Sequence, residues 1–186
     1  MTFFKKIFPE KTLPYIVGGI AIVAFVFIFF GIEKVDAARE HEHARGSMWP
    51  TLSFGDRYVV LKHKTPRRYD IMVLRDARNT NRLIIKRVVG LPGETVALRH
   101  GVVLINGIVL SEPYIKGVFQ RGVENYALRG LVSEIALPAD FYYVMGDNRD
   151  ESYDSRNFGP VHKKQIQGKI IAVIWPLKNR KIFWSY

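Results

Sequence analysis

Leu83-Ile84-Ile85-Lys86-Arg87-Val88-Val89-Gly90 is an apolar run rich in β-branched residues, with two cations set in its middle. Branched side chains favour extended backbone, so the stretch predicts a strand over Leu83–Val89 that stops at Gly90. Alternation along a strand puts Lys86 on the face shared by Ile84 and Val88. A lysine on an apolar face is costly to bury unless it is neutral or paired. One explanation is an edge-strand lysine that discourages aggregation. The other is a general base, because burial disfavours an ammonium and an uncharged amine accepts protons.

The neighbouring segments read the same way. Tyr58–Leu61 and Asp70–Leu74 precede the run, and Thr95–Leu98 and Val102–Ile105 follow it. Asn106-Gly107 then gives the strongest hairpin signal in the chain, returning through Ile108–Leu110. Phe141–Met145 and Lys169–Trp175 complete the set. Arg75–Arg82 is polar and turn-like, and Tyr114–Glu134 is weakly patterned and reads as a loop. Lys62–Arg68 is a basic loop, either a solvated turn or a contact for lipid phosphates. Many short strands with little helical periodicity predict a mainly β, mostly antiparallel domain.

The N-terminus is different. Thr12–Ile32 carries no charge and, as a helix, is about long enough to cross a hydrocarbon core near 30 Å. A buried core helix would show a polar stripe, and a signal-peptide apolar region would be shorter. A retained single-pass anchor is the better reading. Lys5, Lys6 and Lys11 precede the run; Glu33, Asp36, Glu40 and Glu42 follow it. The bias places residues 1–11 in the cytoplasm and the main domain outside it. Residues 33–45 read as a polar linker, extending the helix by a turn or two, and 46–186 as the β-domain. His41 and His43 fall in that charged linker, so no metal is assigned to them. The formal net charge of +11 fits an anionic membrane surface better than nucleic acid, and the chain has no cysteine, which removes thiolate chemistry.

A base at Lys86 needs a nucleophile, and Gly46-Ser47-Met48-Trp49-Pro50-Thr51-Leu52 supplies one. Pro50 stiffens the turn, Gly46 permits close backbone approach, and Ser47 is held beside an apolar anchor. Most such turns are only turns; a serine next to an uncharged amine is the exception. The third feature is Gly146-Asp147-Asn148-Arg149-Asp150-Glu151-Ser152-Tyr153-Asp154-Ser155-Arg156. It reads as a polar surface loop, or as walls of Asp–Arg pairs with a Ser152 hydroxyl turned to the amine. EF-hand spacing is missing.

Ser47-Met48-x-Pro50-Thr51-Leu52, Lys86-Arg87-x-x-Gly90-x-Pro92-Gly93-Glu94 and Gly146–Arg156 resemble, in order, the three signature boxes of type I signal peptidases. The resemblance covers most of Gly46–Val161 and includes the N-terminal anchor. It implies a signal-peptidase/LexA-like antiparallel β-domain preceded by a single transmembrane helix. It also implies a membrane-bound serine endopeptidase that removes signal peptides from exported precursors. By matching positions, Ser47 is the expected nucleophile, Lys86 the general base and Ser152 the residue that orients the lysine. Asp147, Asp154, Arg87 and Arg156 are expected to pair around them. The Ser47 N–H is expected to donate to the oxyanion; where some members have a second donor, a serine, this chain has Arg45. No metal or organic cofactor is implied. Expected partners are precursors, bound as an added strand with small residues such as alanine before the cut, and membrane lipids. The length between Lys86 and the third box is similar to that of minimal members. Two alternatives stand: a conjugative-transfer relative that matures pilin, and a self-cleaving regulator similar to LexA, which would need a DNA-binding helix-turn-helix.

Overall fold

The computed structural model describes residue 15 and residues 32–35, 46–62, 64–76, 82–99, 101–115 and 134–183. The expected anchor (apart from Tyr15 and Ile32), His41, His43, Arg45 and residues 116–133 lie outside these. Among the described residues no helix is long and apolar enough to cross a membrane.

Twelve strands occur among the described residues: β1 (Ile32–Val35), β2 (Arg57–Lys62), β3 (Ile71–Arg75), β4 (Leu83–Gly90), β5 (Thr95–Arg99) and β6 (Val102–Ile105), followed by β7 (Ile108–Val109), β8 (Ile135–Ala136), β9 (Phe141–Met145), β10 (Val161–His162), β11 (Ile166–Trp175) and β12 (Lys181–Ile182). A one-turn helix, α1 (Ser155–Phe158), follows β9. The larger sheet runs β1-β2-β11-β3-β4-β9-β10, with β12 paired to β11; a smaller sheet runs β7-β6-β5-β8. Each pairing is antiparallel. The mainly β reading therefore holds.

One expectation is corrected. The linker after the apolar run does not begin as a helical continuation: Ile32–Val35 is a strand in register with Tyr58–Leu61. Ile and Val at its ends suit extended backbone, and β2 offers it an open ladder of backbone donors and acceptors. The main sheet thus recruits residues from before Gly46.

Two faces of the large sheet are packed. On one, Tyr58, Val60, Ile71, Val73, Ile170 and Val173 bury Met48 and Leu52 of the turn that carries Ser47. On the other, Met72, Leu74, Ile84 and Val88 meet Tyr142, Val144 and Val161. The odd residues of β9, Tyr143 and Met145, join Val89, Val96, Val103 and Ile105 beneath the small sheet. β4 and β9 thus serve two cores by strand alternation. Gly90 is where the chain passes between them, and a Cβ there would lie 2.5 Å from Val96 Cγ2 and 2.8 Å from Leu137 Cδ1. The small sheet turns at Asn106 and Gly107, both at positive φ (50° and 78°), as the Asn-Gly signal requires.

Candidate active site

Lys86 lies in β4 opposite Met72, on the face of Ile84 and Val88, and is 2% exposed. It is therefore buried in the strand, not a solvated edge cation. Ser47 sits in a tight turn in which Trp49 N–H donates to Gly46 O and Leu52 N–H to Met48 O. Met48 and Leu52 anchor that turn in the core, which fixes Ser47 at its rim. The two side chains meet: Lys86 Nζ donates to Ser47 Oγ at 2.6 Å. The same separation lets the hydroxyl donate to the nitrogen when the amine is uncharged.

Consecutive strand residues point to opposite faces, so Arg87 leaves the sheet on the other side. Its Nε and Nη2 grip Asp147 Oδ1 and Oδ2 at 2.8 and 2.6 Å. Thr51 Oγ1, from the nucleophile turn, donates to the same carboxylate at 2.5 Å. Both partners of the ion pair are buried, Asp147 completely. One carboxylate therefore ties the segment after Ser47 to the residue after Lys86.

Asp154 forms the second pair. Arg156 Nε and Nη2 reach its two oxygens at 2.8 Å each, and Gly146 N–H donates to Oδ2 at 2.9 Å. Asp154 also caps α1, with Asn157 returning the bond, so the acid cluster holds a helix N-terminus within it. Burial works to raise the Asp154 carboxyl. The Arg156 hydrogen bonds and charge, with the Gly146 N–H, outweigh it and hold the carboxyl below its ordinary range. Next to it, burial and then the Asp154 charge push the Tyr143 phenol up.

The strand-to-turn corner at Gly146 touches the nucleophile directly. Asn148 N–H donates to Ser47 O at 2.9 Å. A Cβ on Gly146 would lie 2.2 Å from Ser152 Oγ and 2.5 Å from Ser47 O, so only glycine fits. Ser152 is buried in this corner, and its Oγ has no hydrogen-bond partner at bonding geometry. The expected bond from Ser152 to the Lys86 amine is thus not made in this state. Asp154 still feels the nearby hydroxyl, which favours its charged form.

All seven expected site residues fall in this one region, as the Ser47–Lys86 contact, two Arg–Asp pairs and the Ser152 corner. Thr51, Asn148 and Arg149 also belong to it; their positions were within the quoted boxes but without a role. Glu112 was missed, since its partner Arg149 is 37 residues away in sequence. No group of three or more His, Cys, Asp or Glu suited to a metal occurs among the described residues.

The model of the family described as "Signal peptidase, peptidase S26" matches residues 13–175. The chain belongs to the S26 signal peptidase family. Signal peptidase I of Leptolyngbya laminosa is 36% identical, over 92% of this chain and 85% of that protein. Signal peptidase I of Bacillus caldolyticus is 35% identical, over 72% of this chain and 77% of that one. A crystal structure of a signal peptidase I from Enterococcus faecalis V583 aligns with a TM-score of 0.48 and 35% identity, over 57% of this chain and 97% of that chain. As an S26 peptidase, the chain is a serine endopeptidase that removes signal peptides from exported precursors. Its family is generally membrane-associated.

Proposed function

We propose that this S26 peptidase works through a Ser47–Lys86 dyad, at the outer face of the cytoplasmic membrane, to which the apolar run from Thr12, ending before β1, anchors it. The 2.6 Å approach of Lys86 Nζ to Ser47 Oγ, in a buried setting, carries the reading. Ser47 Oγ attacks the scissile carbonyl while the uncharged amine takes its proton. The tetrahedral oxyanion accepts from the Ser47 N–H. The lysine ammonium then gives its proton to the leaving amine, releasing the mature chain and leaving Ser47 acylated by the signal peptide. Water, deprotonated by the same amine, hydrolyses that ester and restores both groups.

Ser152 orients the amine during these proton transfers, and the Arg87–Asp147 and Arg156–Asp154 pairs hold the walls. Substrate enters as an added strand. Among the described residues β9 pairs β4 only from Arg87 onward, so the Leu83–Ile85 stretch just before the dyad is the edge proposed to receive the substrate strand. The lysines before residue 12 and the acids after residue 32 support the orientation. The test is cleavage of a precursor with an Ala-x-Ala site, in detergent, by wild type, Ser47→Ala and Lys86→Ala. Loss of nearly all activity in both variants supports the dyad. A Lys86→Ala enzyme that cuts as well as wild type removes it. Cleavage restricted to a pilin-like precursor would instead assign the chain to the specialised branch.

A further inference from the structure

The short arm Ser111–Ile115 carries no box residue, yet it touches both halves of the site. Glu112 sits on the arm with its carboxylate against Arg149: Nη1 donates to Oε2 at 3.0 Å and Nη2 to Oε1 at 2.5 Å. The pair is well buried, with side-chain exposures of 3% for Arg149 and 10% for Glu112. A forked pair at that depth has strict geometry, and removing one member leaves the other charge without compensation.

Arg149 passes the constraint inward. Its Nε donates to Gly146 O at 3.0 Å, closing the turn whose Asn148 N–H holds Ser47 O. The second path runs through Tyr114, whose hydroxyl donates to Glu112 at 2.6 Å. The Arg87 guanidinium lies 4.0 Å from the centroid of that ring, and Arg87 adjoins Lys86 in β4. Tyr69 steadies the arm itself, donating from its hydroxyl to Ser111 O and meeting the Tyr114 ring edge-on. One carboxylate therefore constrains the turn that grips the nucleophile and the cation next to the base.

We infer that Glu112 is a positioning residue for the reaction: through Arg149 and Tyr114 it sets the separation of Ser47 Oγ and Lys86 Nζ. This rests on the Ser47–Lys86 reading. Glu112 touches neither reacting atom, so its loss should slow the chemical step and leave substrate binding nearly intact. A displacement of about 1 Å at a reacting pair is enough to cost on the order of a hundredfold in rate.

The experiment measures kcat and KM for an Ala-x-Ala precursor with the full chain in detergent, comparing wild type, Glu112→Gln and Glu112→Asp. Rates are expressed per folded enzyme from thermal melts. Glu112→Gln keeps the shape and removes the charge; it should lower kcat by about tenfold or more, with KM within about threefold. Glu112→Asp keeps the charge and should fall between Glu112→Gln and wild type. If Glu112→Gln does not fold, a Glu112→Asp enzyme with lowered kcat and wild-type KM supports the inference alone, and one with wild-type kcat overturns it. A Glu112→Gln kcat within twofold of wild type, or a change confined to KM, also overturns it. Ser47→Ala and Lys86→Ala are run beside them. If both are inactive while Glu112→Gln is normal, only the role of Glu112 fails. If Lys86→Ala is as active as wild type, the dyad fails and the inference falls with it.

Discussion

Replacing Asp147 by leucine tests how the two halves of the site are held together. Asp147 is 0% exposed and Arg87 6% exposed, and the carboxylate accepts both forks of the guanidinium as well as the Thr51 hydroxyl. The ion pair draws little benefit from Coulomb attraction once its desolvation is counted. Breaking it, however, strands a buried cation, which costs about 3–5 kcal/mol. For a domain of this size that lowers the melting temperature by on the order of 10 °C. The cost belongs to the stranded charge, so Asp147→Leu combined with Arg87→Met should recover more than half of it. Thermal melts of wild type, both single variants and the double variant close the cycle. A single variant within about 1 kcal/mol of wild type would refute the reasoning. So would a double variant no more stable than the Asp147 single variant.

Gly146→Ala should nearly abolish cleavage and destabilise the fold by about 1–3 kcal/mol, because the added methyl must displace Ser152 or the Ser47 carbonyl; activity and melting temperature report both. Ser152→Ala should lower kcat at least about tenfold while changing the melting temperature little, since its hydroxyl has no partner at good hydrogen-bond geometry and only a weak influence on Asp154. A wild-type kcat would remove Ser152 from the mechanism. Asp154 is held below the ordinary carboxylate range in the folded state, so the unfolded chain binds its proton first as pH falls. Its stabilisation is therefore complete above about pH 4 and is lost as the pH drops through the folded value. Melts against pH should show a steeper acid loss for wild type than for Asp154→Asn; equal slopes would contradict this.

The longer strands were legible because branched and aromatic residues run together in them, bounded by turn signals. Leu83–Val89, Val102–Ile105 and Phe141–Met145 recur in the structure within a residue of the expected limits. The two-residue strands β8, β10 and β12 were not, since so short a segment has no period and is extended only because a neighbour offers a ladder. β1 was hidden by Glu33 and Lys34, whose charges mark a linker, while its pairing with β2 depends on residues far along the chain. α1 was masked by the density of acids and bases around it; in retrospect Asp154 with Asn157 three residues later is a capping signal. The grouping of the proposed site residues was readable. Its residues cluster in three short boxes, and a lysine on an apolar strand face is a chemical anomaly even without a partner. Glu112 gave no comparable signal, because a surface-looking Ser-Glu-Pro turn becomes buried only when Arg149 is brought to it.

The central claim is that an amine at position 86 is the base for Ser47. The chain has no cysteine, so Lys86→Cys creates one thiol that 2-bromoethylamine, applied in denaturant before refolding, converts to an aminoethyl side chain close to lysine in length. The measurement is precursor cleavage before and after that alkylation. The account predicts an inactive Lys86→Cys enzyme that regains a substantial part of wild-type activity when the amine is returned, and none when Ser47→Ala is also present. Cleavage by unalkylated Lys86→Cys at the wild-type rate, or no recovery in a refolded and fully aminoethylated enzyme, would contradict it.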